Sequence, residues 1–298
     1  MPDVYQIVTD RIIGMLEQGI IPWHRPWTGA GCWAIKRNTG KPYSLLNQLL
    51  LGKPGEYLTF NQCKKEGGNI KKGAKSKLVV FWKFIDKPHT NGDGQIVVNE
   101  EGHPIFDQIP YLQYYNVFHV DDCEGIKPKT YSDITRNFDP IEKAEAVIAD
   151  YVYRSGIKFR HLQQDHAYYS PAYDKVVLPN KEQFTGEPAY YATAFHELTH
   201  STGHSKRLNR FAIDSTVFGS ESYSKEELVA ELGSAAILHS LGIETSDTVQ
   251  NNAAYIQNWL SALKSDKRLI VSAAGKAAKA VELIMPESTE IITSDSAT

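Results

Sequence analysis

The hydrophobic positions of this chain change period twice. From Val4 to Gln18, Ile7, Ile12, Met15 and Leu16 recur near helical spacing and Gly19 closes the run, which predicts an amphipathic helix. In the IIPWHRPW segment that follows, Pro22 and Pro26 exclude helix and leave Trp23 and Trp27 in an extended, turn-rich loop. Ser44 to Leu51 reads as a short helix, and Thr59 caps another element within Tyr57 to Lys65. The period then falls to two. Leu78 to Phe84, Gln95 to Asn99, His103 to Phe106 and Leu112 to Val120 are β-branched or aromatic runs separated by Asn-Gly, Asp-Gly and Glu-Gly turns, the pattern of an antiparallel meander. Past Pro128, helical spacing returns from Pro140 to Arg154. Two short strands follow, Tyr168 to Tyr173 and Lys175 to Leu178, and then helices over Ala189 to Ser201 and Lys225 to Ser240. The expected fold class is α+β, with one domain at 1–125, a linker at 126–140, a second domain at 141–286 and a disordered polar tail at 287–298.

With 298 residues and 42% hydrophobic content the chain can bury two cores. No apolar run reaches the roughly 18 to 20 residues of a membrane span and no signal-peptide cleavage site is visible, so a cytoplasmic protein is expected. Cys32, Cys63 and Cys123 form no C-x-x-C pair and read as reduced thiols. The net charge of -3 conceals a division: residues 1–90 hold 14 Lys and Arg against 6 Asp and Glu, or +8, and the remainder holds 18 against 29, or -11. A positive module joined to an acidic one suggests a polyanion partner. Lys71, Lys72, Lys75 and Lys77 lead into a strand with Trp82, while Trp23, Arg25 and Trp27 form an aromatic-basic loop. Cations neutralise phosphates, and aromatic faces stack on unpaired bases at about 1 to 3 kcal/mol each, so these eight residues are candidate contacts to single-stranded DNA. No duplex-reading motif is visible.

The strongest chemical signal is His196-Glu197-Leu198-Thr199-His200. On a helix the two imidazoles share a face and reach one metal ion, with Glu197 as candidate general base. The spacing suits zinc-hydrolase chemistry, though another divalent metal would fit. A third ligand is needed. Ten residues after His196 stands Lys206 rather than histidine, and His204 follows the stop at Gly203. A carboxylate from the next helix is the alternative, a gluzincin-like arrangement. Glu231 lies centrally on the stripe of Leu228, Ser234, Ala235 and Leu238 and is preferred; Glu227 fits a capping box with Ser224 and remains the alternate, or an orienting partner of a ligand histidine. Tyr168, Tyr169 and Tyr223 are candidate oxyanion stabilisers, and Lys175 to Leu178 is a candidate edge strand for pairing with an extended peptide.

PWHRPW, YLTFNQCKKEGGNIKKGAKSKLVVFWKF, YYNVFHVDDCEG, AFHELTHSTGHSKRLNR and YSKEELVAELGSA together resemble the ArdC-type antirestriction proteins of conjugative plasmids, and the N-terminal part is similar to that of TraC-type primases. The resemblance implies a single-stranded-DNA-binding domain, a zincin-like metallopeptidase domain, and protection of incoming plasmid DNA from restriction. Two other functions remain open: a DNA-coating protein with a structural or vestigial metal site, and a primase accessory module.

Overall fold

In the computed structural model, residues 3–24, 33–129, 140–211, 221–243 and 253–286 are described. Helix α1 (Val4–Glu17) starts at Asp3, whose carboxylate accepts from the Tyr5 and Gln6 amides, and it buries Val4, Val8, Ile12 and Leu16 at strict four-residue spacing. A short turn at Pro22–His24 leads to β1 (Ala34–Lys36), α2 (Leu45–Leu51), β2 (Gly55–Leu58), α3 (Phe60–Lys65), β3 (Asn69–Ile70), β4 (Lys77–Pro88), β5 (Phe106–His119) and β6 (Cys123–Glu124). The expected cap at Thr59 is present, with Thr59 Oγ1 accepting from the Gln62 amide and the Gln62 side chain accepting in return.

The main sheet runs β1-β2-β5-β4, with β1 parallel to β2 and the other pairs antiparallel. β4 and β5 hold register from Lys77↔Val117 to Pro88↔Phe106. Beyond that, the strands expected at Gln95 to Asn99 and His103 to Phe106 reduce to single bridges, Thr90↔Ile96 and Val98↔Pro104. The reason is local: Asn91 Oδ1 accepts from the amides of Asp93 and Gln95, Asn99 Oδ1 from those of Glu101 and His103, and two tight turns consume the length a strand would need.

The second half adds α4 (Pro140–Ser155), β7 (Lys158–Leu162), β8 (Tyr168–Ser170), β9 (Lys175–Pro179), α5 (Glu187–Ser201), α6 (Glu221–Leu241), α7 (Ala253–Ser265) and α8 (Leu269–Ile284). The small sheet has the order β7-β9-β8, so the Lys175 to Leu178 segment is its central strand and the edges are β7 and β8, which corrects the expectation above. Val176, Val177 and Leu178 are all buried, and an unbroken apolar run of this kind belongs to a strand covered on both faces.

One apolar cluster runs through both halves. α1 packs on α7 and α2 on α8, so that Val8 and Ile12 share a core with Ile270 and Val281. Thr9 Oγ1 donates to the Lys267 carbonyl at 2.8 Å across the same contact. Among the described residues no helix is long and apolar enough to cross a membrane.

Candidate metal centre

α5 puts His196 and His200 one turn apart, with their Nε2 atoms separated by 3.1 Å. From α6, Glu227 brings its carboxylate to 3.4 Å from His196 Nε2 and 3.3 Å from His200 Nε2. Among the described residues this is the one group of His, Cys, Asp or Glu whose ligand atoms converge, all within 4.8 Å. Tetrahedral donors bonded at about 2.0 to 2.1 Å stand roughly 3.3 Å apart, so the imidazole pair matches one edge of an ion-binding face, and the Glu227 carboxylate, with a different oxygen nearest each imidazole, closes it. Two imidazoles and one carboxylate fit a divalent cation and leave a fourth position open. Glu197 is nearly buried and lines the same cavity of about 520 Å³, with Tyr168, Tyr169 and Phe211 as its aromatic walls.

Glu231, the preferred ligand on sequence grounds, lies elsewhere. Its carboxylate is hydrogen-bonded to Tyr255, whose phenol is pushed up by burial and by that neighbouring charge. The helix crossing decides the difference. α6 approaches α5 closely at Gly233, where a Cβ would stand 2.6 Å from Thr199 Cγ2, and Ser234 Oγ donates to the Ala192 carbonyl at 2.9 Å. That register brings the turn before Glu231 to the histidines. Nor is Glu227 occupied as a cap, because α6 begins at Glu221 and Ser224 is already inside it. His204 accepts from the Lys206 amide and stays outside the cluster.

Two arginines that sequence reasoning passed over hold the site together. After α5 the chain turns back, with Gly203 leaving room for the Phe211 ring, whose atoms would be 2.8 Å from a Cβ there. Arg207 donates to the Ser201 carbonyl and is paired with Asp174, and the Tyr169 hydroxyl donates to Asp174. Tyr169 is thereby tied into the wall of the cleft. Arg210 donates from Nε and Nη2 to Glu226, at 3.0 and 2.6 Å, and also to Thr202 Oγ1 and the Thr199 carbonyl. Glu226 Oε1 in turn lies 3.5 Å from His200 Nδ1, which holds the ring with Nε2 turned towards the cluster. Burial opposes charge on His200, but its bonds to Glu226 and Glu227 and the charge of Glu197 prevail and raise it to about 10. For Glu226 and Glu227 burial pushes the carboxyls up, and the bonds from His200, with Arg210 or His196, more than offset it and hold both below the usual range.

The nucleic-acid candidates divide. Trp23 is 2% exposed, its ring edge-on to Trp259 at 5.9 Å and its Nε1 donating to Tyr255, so it offers no face to a base; the expectation is corrected. Trp82 is half-buried against Tyr5, and Lys77 is half-buried. Lys71, Lys72 and Lys75 are exposed on the segment before β4. Arg25 and Trp27, like the side chain of Tyr223, lie outside the described residues. Sequence reading missed Phe60, half-exposed beside Lys64, because the first residue of a six-residue helix has no periodic signature.

This fold and site define a protein with a zincin-like C-terminal half: residues 142–276 match the family model described as zincin-like metallopeptidase, and residues 2–118 match the N-terminal domain of anti-restriction factor ArdC. The crystal structure of the antirestriction ArdC protein from plasmid R388 in its metal-free form is 35% identical, with a TM-score of 0.72 over 97% of this chain and 98% of that one. Its Mn(II)-bound form gives 0.71 over 96% and 98%. The chain belongs to the ArdC family of antirestriction proteins. A DNA primase TraC of Escherichia coli is 32% identical over 94% of this chain, which spans only 27% of that protein's length. The y4eC protein of Sinorhizobium fredii is 32% identical, covering 92% of this chain and 89% of its own.

Proposed function

We propose that this protein binds single-stranded DNA through its N-terminal half and hydrolyses a peptide bond at the His196, His200 and Glu227 cluster, in the service of protecting incoming plasmid DNA from restriction. The observation that carries the enzymatic part is the meeting of two imidazoles, one carboxylate and a separate acid, Glu197, at one aromatic cleft. A divalent cation, zinc or manganese, supplies Lewis acidity when bound there. Glu197 accepts the proton of the attacking water, and its place next to His196 in the chain puts it on the cleft side of α5. The free edge of β8 aligns an extended peptide by main-chain pairing, with Tyr168 beside it. On the DNA side, Lys71, Lys72 and Lys75 neutralise phosphates, and the half-exposed Phe60 offers a ring for stacking.

Glu197→Gln tests the enzymatic part. The variant is expected to keep a full equivalent of metal after dialysis and to lose cleavage of a denatured peptide library; cleavage at the parental rate would refute the assignment. Replacing Lys71 and Lys72 by alanine should reduce the salt slope of single-strand binding by about 1.4, and an unchanged slope would remove them from the contact. A second reading, protection by DNA coating with a structural metal, draws on the shared core, in which Trp23 meets the Tyr255 that holds Glu231 of the metal-bearing helix. Full protection in cells by Glu197→Gln would favour it.

A further inference from the structure

Beyond the metal centre and the lysine segment, the outer part of the β4 and β5 ribbon has a composition unlike the rest of the chain. From Lys83 to Pro110 no residue is buried. Yet seven of the twelve large hydrophobic side chains that stand exposed among the described residues lie here, Phe84, Ile85, Ile96, Val98, Phe106 and Ile109 among them, each about half exposed. An isolated two-stranded ribbon is marginal in water, but this one is preorganised. Twelve residue pairs keep register along it, and the Asn91 and Asn99 turns close its tip with side-chain bonds to the backbone. The apolar groups line both faces of the ribbon: Phe84 and Phe106 continue the face on which Val80 and Leu112 are buried, and the paired Ile85 and Ile109 continue the opposite one, on which Val79 is buried.

The ribbon's charge is opposite to that of the body that carries it. Residues 84–110 hold Asp86, Asp93, Glu100, Glu101 and Asp107 against Lys87, a net of -4, whereas residues 1–83 hold thirteen Lys and Arg against five Asp and Glu, a net of +8. A strip of that sign repels nucleic acid. An exposed apolar patch rimmed by one charge calls for a partner surface that is apolar and basic. The chain itself has one: α3 and the segment before β4 expose Phe60, Lys64, Lys65, Lys71, Lys72 and Lys75.

We propose that the ribbon is a docking arm through which two copies of this chain associate, the acidic, apolar tip of each seated on the basic face of the other, so that the dimer and single-stranded DNA compete for Phe60, Lys71, Lys72 and Lys75. Placed about a two-fold axis, the exchange satisfies both surfaces of each copy at once and closes as a dimer. The apolar side chains supply the buried area and the charges set register and on-rate.

Sedimentation velocity on the full chain over a wide concentration range is the test. A dimer is expected at low salt, weakening by at least about tenfold as the Debye length shrinks from about 10 Å at 0.1 M towards about 3 Å at 1 M. Two charge-reversed proteins sharpen it, one with Glu100→Lys and Glu101→Lys, the other with Lys71→Glu and Lys72→Glu. All four side chains are exposed, so both proteins should fold with parental melting temperatures. Each alone is expected to dimerise at least about tenfold more weakly, since one pair of reversals takes the arm from -4 to zero and the other takes the five lysines of the face from +5 to +1, and an equimolar mixture should recover the dimer because one contact then joins a parental arm to a parental face while the other sets the two reversed pairs against each other. A wild-type chain that stays monomeric at every concentration overturns the proposal. So does a dimer that neither variant weakens, or a mixture that dimerises no more tightly than either variant alone.

Discussion

Replacing Arg210 by alanine probes how the metal centre is held in shape. The guanidinium is 6% exposed and makes four hydrogen bonds, two to Glu226, one to Thr202 Oγ1 and one to the Thr199 carbonyl. Its loss leaves the Glu226 side chain, 12% exposed, with only the longer contact to His200 as compensation. Removing one member of a buried pair costs about 3 to 5 kcal/mol, and the surviving His200 contact argues for the lower end, about 3. Two carbonyl and hydroxyl acceptors near the end of α5 also lose their donor, and His200 Nδ1 loses a fixed partner, so metal affinity should fall about 10 to 100-fold. The assays are urea unfolding of the metal-free protein and metal competition against a chromophoric chelator. Adding Glu226→Gln to Arg210→Ala removes the orphaned charge and should recover part of the stability but not the affinity. Arg207→Ala is the control: its guanidinium is as buried as that of Arg210 and is paired with Asp174, but it touches no ligand, so the change is expected to cost stability with metal affinity nearly unchanged. A loss below about 1 kcal/mol in Arg210→Ala together with unaltered metal affinity would refute the reasoning.

Three further outcomes follow from the packing. Glu227→Ala should lose metal on dialysis as completely as His200→Ala, whereas Glu231→Ala should keep a full equivalent and instead perturb Tyr255; the reverse pattern in metal analysis would return the ligand role to Glu231. Gly233→Ala should destabilise by about 1 to 3 kcal/mol, because its methyl group meets Thr199 at 2.6 Å, and a melting temperature raised in line with alanine's better helix propensity would contradict the close crossing. In a Cys32→Ser background, Cys63 and Cys123 should resist Ellman's reagent until the protein unfolds, since both are buried and burial, with the Cys63 contact, pushes the Cys123 thiol up to about 12; rapid native-state labelling would show the core there to be open.

Local chemistry was readable from the chain because it depends on neighbours within one turn. The cap at Thr59 and the shared face of His196 and His200 both lie within four residues of the groups they involve. α7 and α8 escaped the reading although α8 is amphipathic, burying Ile270, Ala273, Ala274, Ala277 and Val281 opposite an exposed stripe of Ser272, Gly275, Lys276 and Lys279. The fate of Trp23 could not be read at all, since a tryptophan in a proline-rich loop looks the same whether it meets a base or, as here, Trp259 more than two hundred residues away. The third ligand shows the limit most sharply. Periodicity narrowed it to one face of α6, where Glu227 and Glu231 are equivalent by spacing, but one helical turn, about 5.4 Å, separates them along the axis. Only the depth at which α6 slides along α5 chooses between them, and that is set by the contact of Gly233 with Thr199, a pairing between helices on which neither sequence segment carries any mark.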